Sequence, residues 1–247
     1  MASEFLSLIN FDEYTLSDAQ FKILCAAIAF IFTLSGITAV VAFPKDKRRM
    51  SWIISLVNSF VLSVASSVYM YVKWPVIIAD YRAFFHSADN VSMAIAVWLL
   101  MANIFDLAFG IVFYRAYLDP LSAYLHHTLY IWIMTVAISG NGGFANFEPF
   151  VAGSAYLLVE EIPTFLLAAG SVFPSLRTDL GFGFTFLVFR LGFHIAMLWA
   201  GIHYGIAKLV VGLFGITLVM HSFWFYSWFT KYGKKLLFGA KGEKAKQ

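Results

Sequence analysis

His126 and His127 stand side by side in the apolar run LSAYLHHTLYIWIMTVAIS, residues 121–139. An imidazole in hydrocarbon must find a hydrogen-bond partner or remain costly, so the pair marks a candidate functional site. A neutral imidazole can take a proton from an amine or hydroxyl, or attack a thioester itself. A carboxylate beside it orients the ring and balances the imidazolium that forms. Other apolar runs supply the carboxylates of Asp106, Glu160 and Glu161, and the basic groups of Arg190, His194 and His221. Arg190 is placed to neutralise Asp106 or Glu161, as a buried charge requires. His194 follows it at i+4 on the same helix face. Adjacent histidines diverge by about 100° on a helix and seldom share one ion, so no metal is expected. No Gly-rich phosphate loop, GxSxG elbow or nucleic-acid patch is present, and no bound cofactor is expected. Cys25, the single cysteine, excludes an intrachain disulfide and a thiolate zinc site and reads as an inert apolar thiol.

The elements that must position these groups are membrane spans. The chain is 61% hydrophobic and 13% charged, with a mean hydropathy of +0.78. A soluble domain of this length cannot bury that much apolar surface. The runs are long and continuous rather than alternating, which speaks against a β-barrel. Seven runs are long enough to span, at approximately 21–43, 51–73, 92–114, 121–139, 148–170, 182–202 and 206–229. Pro44, Pro75, Pro120 and Pro174 punctuate them. The expectation is an all-α polytopic bundle of about seven spans. Residues 1–20 form an external or lumenal segment, 21–230 the membrane domain and 231–247 a basic cytosolic tail. Residues 1–20 hold four acidic residues and no Lys or Arg, unlike a cleavable leader.

Charge sets the orientation. Lys45, Lys47, Arg48, Arg49, Arg115, Arg177 and six lysines from Lys231 to Lys246 put twelve of the seventeen basic residues on one side, taken as cytosolic. Lys22, Lys73 and Arg82 fall opposite. Trp224, Tyr226, Trp228 and Tyr232 form an interfacial aromatic belt. With a rise of 1.5 Å per residue, His126 and His127 lie roughly 8–9 Å below the cytosolic surface. Asp106, Glu160, Glu161, Arg190 and His221 lie roughly 12–15 Å below it. Five helices thus deliver ionisable groups to one stratum. Pro163, two residues after Glu161, is expected to bend its helix there and widen a pocket.

Two stretches carry a family resemblance. LDPLSAYLHHTLY (118–130) and LLVEEIPTFLLAAGSVFPSLRTDLGFGFTFLVFRLGFH (157–194) resemble the core of the TLC-domain family, and Asp106 fits the preceding helix. That family holds ceramide synthases and a shorter set of multi-pass proteins linked to lipid composition. The resemblance implies membrane lipids as partners, an internal membrane such as the endoplasmic reticulum, and acyl-CoA and a sphingoid base as candidate substrates. It implies catalytic roles for His126 and His127. Ceramide synthases carry paired aspartates in the next helix, where this chain has Glu160 and Glu161; the sequence is closer to the shorter subgroup. The site so read has His126, His127, Glu161 and Asp106 as catalytic groups, and Arg190, His194 and His221 on the substrate side. The competing reading is a non-catalytic lipid-binding protein. A retinal photoreceptor fits poorly, because Lys208 is near a helix end and Tyr204 stands where a carboxylate would be needed.

The charge asymmetry makes a topological prediction. Glycosylation or protease-accessible tags should place residues 45–49 and 231–247 in the cytosol and residues 140–147 opposite; a lumenal C-terminus would overturn the span count and the depth argument with it.

Overall fold

The computed structural model describes residues 15–139, 148–206 and 208–233. Residues 1–14, 140–147, 207 and 234–247 lie outside the described residues, and with them most of the expected N-terminal segment and basic tail. Within them the chain is helical and contains no strand. Seven long helices follow in order. They are α1 (Asp18–Ala42), α2 (Ile53–Ala79), α3 (Asn90–Phe113), α4 (120–139), α5 (148–172), α6 (Asp179–His203) and α7 (Lys208–Gly233).

Local chemistry sets several ends. Ser17 caps α1 and Asp89 caps α3, each in a reciprocal box with the residue three positions on, Gln20 and Ser92. Pro75 does not end α2 as a boundary proline would; the helix runs through it to Ala79. Lys73 is therefore helical and buried, and its Nζ lies 2.9 Å from Asp89 Oδ2. Tyr69, one turn earlier, donates to the same oxygen at 3.0 Å. This ion pair staples the end of α2 to the start of α3.

Among the described residues, six helices are long and apolar enough to cross a membrane: α1, α2 with the short turn before it, α3, α5, α6 and α7. This is the all-α bundle of a multi-pass membrane protein. The remaining run, 121–139, is also helical, as α4, but it carries both histidines and is not among the six. Large apolar side chains such as Phe30, Val41, Val112, Phe184 and Val219 point outward, which suits a hydrocarbon surround.

The central helix is α5. Its apolar window is 67% buried, against 22–44% for the other five, and every residue from Val151 to Glu160 is buried. Around it, α2 lies along its second half and α3 along its first, while α4 packs on α3 and α6 on α7. Gly183 of α6 lets the Trp228 ring of α7 occupy the place of a Cβ, so these two helices approach closely there.

Three departures from regular winding matter to the site. Helix α4 opens as a π-helix at Pro120–Leu125, immediately before His126. Helix α6 is π-wound over Phe186–Phe193, around Arg190. Helix α5 tightens to a 3₁₀ turn at Leu158–Glu160 and resumes as α-helix at Glu161. Pro163 offers no N–H to the carbonyl of Val159, so the irregularity falls on the last turn before the proline.

Candidate functional site

Arg190 sits at the junction of α5, α6 and α7 with its guanidinium buried. Its Nε donates to the backbone carbonyl of Glu160 at 2.9 Å. Its Nη2 donates to Glu161 Oε1 at 2.7 Å and to Thr164 Oγ1 at 2.6 Å. Its Nη1 lies 3.2 Å from His221 Nε2. The 3₁₀ turn ahead of Pro163 and the residue that follows it thus present a backbone carbonyl and a carboxylate to one cation.

These contacts determine protonation. A guanidinium only donates, so His221 Nε2 accepts and its proton is on Nδ1. That nitrogen faces the carbonyl of Arg190 at 3.3 Å and Glu160 Oε2 at 3.6 Å. His194 has an acceptor at each end: Phe214 carbonyl oxygen lies 2.9 Å from Nε2 and Glu160 Oε1 lies 2.7 Å from Nδ1. Nε2 therefore donates, and a proton must also lie between Nδ1 and Oε1. Arg190 and that proton together match the two carboxylates of Glu160 and Glu161. The cluster is neutral overall, as a buried ionic group in an apolar bundle must be.

A second, smaller network joins α3 to α4. His127 Nδ1 lies 3.4 Å from Asp106 Oδ2. The Tyr114 hydroxyl donates to Asp106 Oδ1 at 2.7 Å. Tyr114 is the residue after α3, where the chain folds back over its own last turns. His126 points away from its neighbour, toward α7: its ring meets Trp224 edge-on at 5.4 Å and Tyr130 at 4.6 Å. The two imidazoles are 5.6 Å apart between centroids. A cavity of about 30 Å³ is walled by His126, Tyr130, Glu160, Glu161, Arg190 and His221, among others. It has room for about one water molecule.

The structure therefore brings the sequence-derived residues into two adjoining groups. Asp106 faces His127. Glu161, Arg190, His194 and His221 form the other group, and His126 lines the cavity beside Glu161, Arg190 and His221. Arg190 neutralises Glu161, the second of the two acids the sequence offers it, and Asp106 has Tyr114 and His127 instead. Glu160 is the acid that holds His194. Sequence reasoning did not pick out Tyr114 or Thr164. Thr164 stands at i+3 from Glu161, a spacing that could have flagged it; Tyr114 lies beyond a helix end, where periodicity gives no guide.

Glu160, His194 and His221 form a grouping whose ligand atoms lie within 4.8 Å of one another. Its donor set does not suit a metal ion. His221 Nδ1 must keep its proton because Nε2 accepts from Arg190, which leaves only two ligands beside a guanidinium.

Comparison with protein-family models, curated proteins and solved structures finds no match to this chain.

The Asp106 network can be tested directly. Tyr114→Phe removes one donor from a buried carboxylate and should cost about 1–3 kcal/mol, seen as an earlier thermal unfolding transition in detergent. An unchanged transition would mean that Asp106 does not depend on Tyr114.

Proposed function

We propose that this chain is a membrane enzyme of lipid metabolism that transfers an acyl group from a thioester such as acyl-CoA to a long-chain amine, of sphingoid-base type. The observation that carries this reading is the Asp106–His127 pair, 3.4 Å apart, with His126 beside it on the cavity. In the proposed reaction Asp106 holds the Nδ1 side of His127, leaving Nε2 to remove a proton from the attacking amine. The shallow depth of the histidines suits a substrate whose headgroup stays in the cytosol while its thioester enters the bundle. The resemblance to the shorter TLC-domain proteins supports the same direction, with the endoplasmic reticulum as the membrane and the C-terminus cytosolic.

A second reading is favoured by a specific feature of the site. His194 and His221 have both ring nitrogens engaged within the protein, and the cavity is only about 30 Å³. Such a network could serve as the rigid floor of a non-catalytic lipid-binding protein.

Purified protein given acyl-CoA and a panel of amine and hydroxyl acceptors distinguishes the two. The transferase reading expects release of free CoA, a fall of at least about 100-fold in His126→Ala/His127→Ala, and a rate that declines in acid as the histidines protonate. Equal background release by wild type and double mutant would sink it and leave the lipid-binding reading.

A further inference from the structure

Two buried groups able to donate, on residues that line the cavity, have no acceptor among the described residues. The first is His126 Nδ1, which is inaccessible to solvent and forms no hydrogen bond. The second is on Arg190. A guanidinium has five N–H groups. Its Nε–H goes to the Glu160 carbonyl and the two Nη2 hydrogens go to Glu161 and Thr164. One Nη1 hydrogen goes to His221, which leaves the other uncommitted. Both residues wall the same space of about 30 Å³.

Buried donors without acceptors are rare, and each calls for an explanation. Here the two orphans belong to residues that line one void the size of one oxygen-bearing group. The fixed positions of Arg190's other bonds hold its free N–H rigidly. His126 can present Nδ1–H, since neither an acceptor nor a donor there fixes the opposite tautomer. Preorganised donors that converge where negative charge develops are what acyl transfer needs.

We infer that the cavity is an oxyanion hole, in which Arg190 Nη1–H and His126 Nδ1–H bind the carbonyl oxygen of an acyl thioester. The inference rests on the acyl-transfer reading and divides the histidine pair: His127 moves the proton, and His126 holds the oxygen. The amine nitrogen forms a bond to the carbonyl carbon and yields its proton to His127. The oxygen takes the negative charge between Arg190 and His126. The charge then returns, the carbon–sulfur bond breaks, and the leaving thiolate receives the proton from His127. A resting water would occupy the hole when substrate is absent.

The test uses purified full-length protein and palmitoyl-CoA carrying a ¹³C carbonyl, without amine. Infrared difference spectra should show the bound carbonyl band at lower frequency than in free thioester. His126→Ala should weaken that shift and lower kcat for CoA release by about 10²–10³-fold with little change in KM. His126→Asn retains an N–H near the position of Nδ1 and should restore much of both; a general base could not be replaced in this way. A wild-type enzyme that releases CoA with no band shift, or an Asn variant no better than Ala, overturns the oxyanion hole and leaves acyl transfer standing. Absence of any histidine-dependent CoA release overturns acyl transfer and this inference together.

Discussion

A guanidinium buried among apolar helices must find its counter-charges inside the protein, and Arg190 of α6 finds its partners on α5 and α7. Desolvating such a cation is tolerable only when its donors are matched and the charge is balanced nearby. Glu161, Thr164 and the Glu160 carbonyl come from α5, and His221 comes from α7. The Glu160 carboxylate then holds His194, whose other nitrogen reaches the Phe214 carbonyl of α7. These contacts link the groups one to the next, so the relative placement of three helices is tied to one charge balance.

The candidate site depends on that arrangement. Because α5 is pinned to Arg190 at its 3₁₀ turn, Glu160 and Glu161 face the cavity that His126 closes from α4. The histidines differ in environment because adjacent residues on a helix diverge. His127 has Asp106 of α3, whereas His126 looks across to Trp224 of α7 and the Arg190 cluster. The π-wound turns before His126 and around Arg190 are the kind of irregularity that recurs at functional positions. At the other end of the bundle, Lys73, Asp89 and Tyr69 form a separate polar staple between α2 and α3.

Much of the bundle was legible because hydrocarbon imposes a simple pattern: long apolar runs, basic loops and few charges. The same scarcity made Asp106, Glu160, Glu161, Arg190, His194 and His221 stand out, and helical rise alone put all of these but His194 at similar depths. Pairing was not legible. Nothing in the sequence distinguishes Arg190–Glu161 from Arg190–Asp106, because that choice depends on how α3 and α6 sit about α5. Tyr114 was hidden because it reaches Asp106 through a turn after the helix end. Lys73 was hidden because Pro75 looks like a terminator, although α2 continues through it. The π and 3₁₀ segments, which aim Arg190 and Glu160, leave no periodicity to read in stretches so uniformly apolar.

The central claim is that Arg190 and the two glutamates are held together by charge balance rather than by shape alone. Unfolding in detergent of Arg190→Met should reveal a loss of about 3–5 kcal/mol, because Glu160 and Glu161 are left buried without their cation. Adding Glu160→Gln and Glu161→Gln to that variant removes the unmatched charges at nearly constant shape. The triple variant should regain a clear part of the lost stability, despite carrying three substitutions instead of one. A triple variant as unstable as the single, or less stable, would contradict the claim.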